Sequence, residues 1–156
     1  MKKKLLIAQF FFLVLQLRHA THALRLNTGL AVTQDIRSLY NRIADRGDLA
    51  NVCLKAFEDI NKLQGVERLR FYALMHDYFH TYENAYLQWR AGALDEQYWR
   101  SAVNGIIVII VTSGGAEYWS NRSWWYTDEF QSYVNQEVIP TAHEKSYRVA
   151  GTEKPA

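Results

Sequence analysis

His76, His80 and Glu83 lie four and three residues apart within FYALMHDYFHTYENAYLQWRAG, residues 71–92. On an α-helix that spacing gathers them on an arc of about 60°. Two imidazoles one turn apart, with a carboxylate one turn on, are ligands for zinc or another borderline divalent metal. Such a site wants three or four ligands, more than one helix readily supplies. The other candidates, Glu117, Asp128, Glu129, His143 and Glu144, follow no ligand spacing, and the Glu-x-x-His pairs of carboxylate-bridged bundles are missing. The more ordinary role for the two histidines is the polar flank of an aromatic helix, and no cofactor is implied.

Glu83 raises its own question, because it sits one residue from an apolar seam. A carboxylate half-buried among rings must be paired or protonated. Arg100 or Arg122 is the expected partner, in an ion pair that fixes helix register. No second carboxylate or nucleophile accompanies it, so a general acid or base is not favoured. Trp119, Trp124 and Trp125, with Tyr126 and Phe130, read as the end of the core. The sharper alternative is a ligand pocket or partner surface, which makes Glu83, Trp119, Trp124 and Trp125 the candidate binding residues.

Other chemistry is thin. TSGG (112–115) lacks the lysine and preceding strand of a phosphate loop, and Ser113 and Ser123 lack a nucleophile-elbow context. NRS at Asn121 is a glycosylation sequon, meaningful only in a eukaryotic secretory pathway. Cys53 is the only cysteine, so there is no intrachain disulfide and no cysteine-based zinc cluster. It falls on an apolar helix face, as a small buried hydrophobe would. A net charge of +2 without a dense basic patch argues against nucleic acid.

The elements that must position these residues are helical. Tyr72, Met75, Phe79, Tyr82, Tyr86 and Trp89 recur every three or four residues, so they form the buried seam of a helix over 66–91, with Gly92 as its C′ residue. Asp48 is expected to cap a helix through LANVCLKAFEDINKL, and Asp95 opens DEQYWRSAVNGIIVIIV. IIVIIV (106–111) has strand propensity, but no partner strand exists and a lone strand is unstable. It reads as helix, buried on both faces. Thr127 is the N-cap of YTDEFQSYVNQEVI, and Pro140 is expected to stop that helix. The reading is an all-α bundle of five to six helices on a long amino-terminal stem. Residues 1–23 form a hydrophobic anchor or signal peptide, 24–139 the bundle, and 140–156 a disordered polar tail.

At the amino terminus three lysines precede thirteen mostly apolar residues, Leu5 to Leu17. As a helix they reach about 20 Å, short of the ~30 Å hydrocarbon core, which favours a signal peptide cleaved after Ala23 and a secreted or periplasmic product. Against that, Leu17, Ala20, Leu24, Thr28, Ala31 or Val32, Ile36, Leu39 and Ile43 carry a helical stripe through the cleavage point, which favours an uncleaved membrane anchor. Lys2 to Lys4 and Arg18 would then snorkel at its ends. A wholly soluble buried helix is the third alternative. The lysines slightly favour the amino end inside.

LQLRHATHALRLNTG, FHTYENAYLQWRAGALDEQYW and GAEYWSNRSWWYTDEFQSYV together resemble a family of small bacterial membrane-anchored helical proteins. The resemblance covers residues 13–138. Its most specific part is Glu83, Asn84, Gly92, Leu94, Asp95, Glu96 and Trp99, with Trp119 and Phe130 in later aromatic pairs. It implies a single amino-terminal transmembrane helix at the inner membrane and an aromatic-rich helical domain on the cytoplasmic side. This chain departs in its shorter apolar run and leading lysines, which put the orientation in question. His76 and His80 are not part of the pattern. No activity comes with the family, so the expectation is a membrane-tethered, non-enzymatic helical module that meets a protein partner. A ligand- or metal-binding protein using the His76, His80 and Glu83 face is the alternative.

Overall fold

The computed structural model describes residues 2–149 and contains helices and turns throughout them. The expected disorder beyond Val149 and the side chains of Lys2 to Lys4 lie outside the described residues. Seven α-helices run in order: α1 Lys2–Ala44, α2 Gly47–Glu58, α3 Val66–Arg90, α4 Glu96–Ile110, α5 Ser113–Arg122, α6 Asp128–Tyr133 and α7 Ile139–Val149. Short 3₁₀ turns occupy Ile60–Lys62 and Ser123–Trp125, and a π turn, Val134–Val138, joins α6 to α7. Since helical dihedrals carry through the junctions of α6, the π turn and α7, the described residues make six rods, an all-α bundle with a long stem.

The hub is α3, which touches α1, α2, α4, α5 and α6. Its ring-bearing seam is interior: Met75, Phe79, Tyr82 and Tyr86 are buried, with Tyr72 and Trp89 partly so. Phe79 stacks on Tyr118 at 5.5 Å, and Trp89 stacks on Trp99 at 5.6 Å. Burying indole and phenol requires hydrogen-bond partners. Trp99 donates to the Tyr133 hydroxyl at 3.2 Å, Trp119 to the Asn135 side-chain oxygen at 2.9 Å, and the Tyr118 and Tyr126 hydroxyls meet at 2.9 Å.

Gly92 takes φ +72° just past α3, a left-handed C′ that closes the helix. Asp95 then caps α4 by accepting from the Gln97 N–H at 2.9 Å. The β-branched run is helical, with Ile106, Ile107, Ile109 and Ile110 buried. Val108 and Val111 face outward, so one side of that run is open. Cys53 is buried in α2, and desolvation alone pushes its thiol pKa up to about 11, which leaves it unreactive.

Three expectations are corrected. Asp48 does not cap α2. Arg46 holds the N-cap position without a side-chain bond, and Asp48 lies in the first turn, where its carboxylate bridges Arg46 and Arg70. Pro140 does not end the last helix. In the π turn before it the Ile139 N–H bonds back to Val134, so the ladder is already wider there and absorbs the missing proline N–H. The helix continues to Val149, buries Ala142, and lets Lys145 bond Asn104 at 2.9 Å.

The third correction concerns α1. The helix is unbroken, but the stripe is covered only from Thr28 onward, where Val32 and Leu39 are buried and Ile36 and Ile43 pack partly. The Tyr98 ring lies directly on Gly29, where a Cβ would come within 2.8 Å of it. The first hydrogen bond to the domain is Arg25 to the Gly92 carbonyl at 3.0 Å. Leu17 and Leu24 are exposed. A cut after Ala23 would therefore spare the core, and continuity of the stripe does not separate an anchor from a signal.

Candidate functional site

On α3 the histidine arc packs against the turn that follows α5. The His76 ring meets Trp125 edge-on at 5.0 Å and His80 at 4.3 Å. The His80 Nδ1 lies 3.1 Å from Glu83 Oε2, and Glu83 Oε1 accepts from the Thr127 main-chain N–H at 2.7 Å. Glu83 is 5% exposed, so both oxygens are satisfied in a buried setting. Its partners are thus an imidazole and a helix N-terminus, and neither expected arginine is involved. Arg100 pairs with Glu96 at 2.9 Å, and Arg122 lies over rings.

Among the described residues no group of three or more histidine, cysteine or carboxylate side chains is placed to hold a metal. His76, His80 and Glu83 are neighbours, yet the Glu83 oxygens are committed to His80 and Thr127, which leaves no converging ligand set. No hydroxyl or thiol among the described residues hydrogen-bonds His80 beside Glu83.

His76 has a second feature. Its Nδ1 is sealed from solvent and has no hydrogen-bond partner among the described residues. Burial, then the neighbouring His80, hold its imidazole below the usual value of 6.5, against a weaker opposing pull from Asp77. The unfolded chain takes up this proton near pH 6.5, while the folded chain resists it. Protonation therefore favours unfolding, and stability is expected to fall as pH drops from about 6.5 towards the lowered folded pKa, then to level off. Urea midpoints compared between pH 7.5 and 5.5 check this. The fall should be shallower in His76→Phe, and an equal fall in both would assign it elsewhere.

Beside His76 an open groove of about 600 Å³ runs along α3, lined by Arg68, Leu69, Tyr72 and His76 on one wall and by Tyr118, Arg122 and Trp125 on the other. Glu117 anchors the first wall, accepting from Arg68 and from the Tyr72 hydroxyl at 3.0 Å. The Arg122 guanidinium lies 5.6 Å from the Tyr72 ring centre and 5.3 Å from that of Trp125. It gives one hydrogen bond, to the Asn121 carbonyl at 3.2 Å, and no carboxylate pairs with it among the described residues. Cation–π contact with two rings orients the charge without neutralising it.

The tryptophans part company. Trp119 is core, against Phe79, Tyr126 and Phe130. Trp125 is 43% exposed at the groove, and Trp124 is 66% exposed beside it. Arg68 was not singled out from the sequence, and Tyr72 and Arg122 were, but as a seam residue and as a partner for Glu83 rather than as groove residues. The usable signal was Arg68, Tyr72 and His76 at four-residue intervals, facing the Arg-x-x-Trp of 122–125.

Family models, curated proteins and solved structures yield no match to this chain.

Proposed function

We propose that the chain is a non-enzymatic helical module, held at a membrane by the projecting part of α1 and meeting a protein partner through its bundle. One observation carries the tether. From Leu6 to Leu17 the helix is mostly apolar, interrupted by Gln9 and Gln16 on one face, with Leu6, Ile7, Phe10, Phe11, Phe12 and Leu13 bare, while the same helix is packed from Thr28 onward. A helix that bares large apolar side chains over most of its circumference favours an apolar surrounding. The family resemblance points the same way.

Among the described residues no single helix is long and apolar enough to cross a membrane. The bent pair Glu96–Ile110 and Ser113–Trp125, at 101°, has the length and composition but supplies the core isoleucines and Tyr118. The tether accordingly needs a locally thinned bilayer, with Arg18 reaching the headgroups.

The test is membrane partition with intact-mass analysis. The full chain is expected in the membrane pellet after alkaline carbonate, with its first residues intact. Replacing Phe10, Phe11 and Phe12 by Gln removes about 2 kcal/mol of transfer energy each, enough to release most of the chain. A soluble chain beginning after Ala23 would establish a cleaved signal in place of the tether.

A further inference from the structure

We propose that the groove between α3 and α5 binds a short acidic peptide segment of a partner protein, with a carboxylate on Arg122 and a neighbouring apolar side chain against Trp125 and Leu69. This deepens the interaction reading above and rests on it, though not on the tether. The charge is available. Arg122 lies between two rings with only one hydrogen bond, to a main-chain carbonyl, so most of its donors are free for a carboxylate. Trp125 is 43% exposed beside it, and tryptophan and arginine are among the residues enriched in interface anchors.

The shape favours a peptide over a small molecule. From Gly65 to His76 the groove follows α3 for eleven residues, about 17 Å at 1.5 Å per residue. An extended peptide covers that with about five residues at ~3.3 Å each. The groove's rim is apolar and exposed: Leu69 on its wall is 71% exposed and Val66 beside it 68%, with Trp124, next to Trp125, 66% exposed. A compact carboxylate ligand would use Arg122 and leave that rim bare.

Position argues against a lipid headgroup. The stem runs antiparallel to α3: Arg25 bonds Gly92, and Arg42 pairs with Asp77 at 2.7 Å. The projecting apolar end thus leaves past the carboxyl end of α3. The groove spans residues 65–76, beginning 16 residues, or about 24 Å, back from Gly92. A membrane that receives Phe10 to Phe12 therefore lies at the opposite end of the domain.

The probe is a panel of acetylated, amidated hexapeptides on a Gly-Ser background, carrying one Glu and one Phe at every mutual spacing. Each is titrated into ¹⁵N-labelled full chain in detergent micelles. At least one member is expected to shift the Trp125 indole and Arg122 Nε–H signals saturably. Its Gln counterpart should bind at least tenfold more weakly. Arg122→Gln should lose the same tenfold, and Arg100→Gln nothing. Arg122→Lys, which keeps charge without ring stacking, should fall between and guards against misfolding of the glutamine variant. Saturation by no panel member, equal binding of Gln peptides, or acetate alone saturating as tightly would each overturn the proposal. A chain that binds peptide yet partitions as soluble would fail the tether alone.

Discussion

Gly115→Ala is expected to destabilise the bundle by about 3 kcal/mol or more, at the upper end of overpacking costs. Its Cβ would sit 2.0 Å from the Ile109 carbonyl oxygen and 2.8 Å from the carbon. Those are main-chain atoms, so no rotamer relieves the overlap. Nor can α4 recede, because the same carbonyl accepts the Thr112 N–H at 3.0 Å and the Thr112 hydroxyl at 2.7 Å, and Ile109 and Ile110 are buried. Any shift also disturbs the α5 cap, where Thr112 accepts from the Gly115 N–H at 3.1 Å, a contact of a kind worth about 1 kcal/mol. Gly47→Ala is the control: a Cβ there meets nothing within 4 Å, and a gain of up to about 1 kcal/mol in helix propensity is expected. Chemical denaturation of both variants decides, and a wild-type midpoint for Gly115→Ala would show the corner to be slack.

The same corner explains why TSGG resembles a phosphate loop so weakly. Its threonine is an N-cap and its second glycine is a close approach, needed because α4 and α5 turn through 101° with almost no linker. Composition at four positions cannot tell a cradle for an anion from a passage for a neighbouring backbone. Only the far side of the contact distinguishes them, and that side is Ile109, with Ala56 and Phe71 against Gly114.

What was legible from the sequence is what a single helix determines. The seam from Tyr72 to Trp89 was readable because 3.6 residues per turn decides which side chains share a face before any partner is known. Ile106 to Val111 was readable as helix because its alternative required a strand that exists nowhere else. The stem misled for the same reason. Periodicity shows that Leu17 and Leu24 share a face with Val32 but says nothing about how far along that face the domain reaches. Arg122 was expected to seek a carboxylate, since charge is visible in a sequence. The Tyr72 and Trp125 rings that hold it are 53 residues apart, one on α3 and one on a 3₁₀ turn. Pro140 was read through its local effect, and the π turn that accommodates it leaves no composition signal.

Glu83 carries the second large effect. Thr127-x-x-Phe130 opens α6 as a capping box lacking its acid: the Thr127 hydroxyl accepts from the Phe130 N–H at 3.4 Å, but a phenylalanine stands where Glu or Gln would reach back to the N-cap N–H. Glu83 supplies that carboxylate from α3, at 2.7 Å, so the box is completed across two helices. A negative charge at that end also suits the helix dipole. Glu83→Ala leaves a part-buried N–H and His80 without their acceptor and is expected to cost about 3 kcal/mol. Glu83→Gln keeps an acceptor for Thr127 and should cost about 1 kcal/mol, which reads the charge, while the further loss in Glu83→Ala reads the acceptor. Because both halves serve one helix start, Glu83→Gln and Thr127→Ala should not add. Their double-mutant cycle is expected to show a coupling of at least about 0.5 kcal/mol, and strict additivity would mean that each residue caps alone.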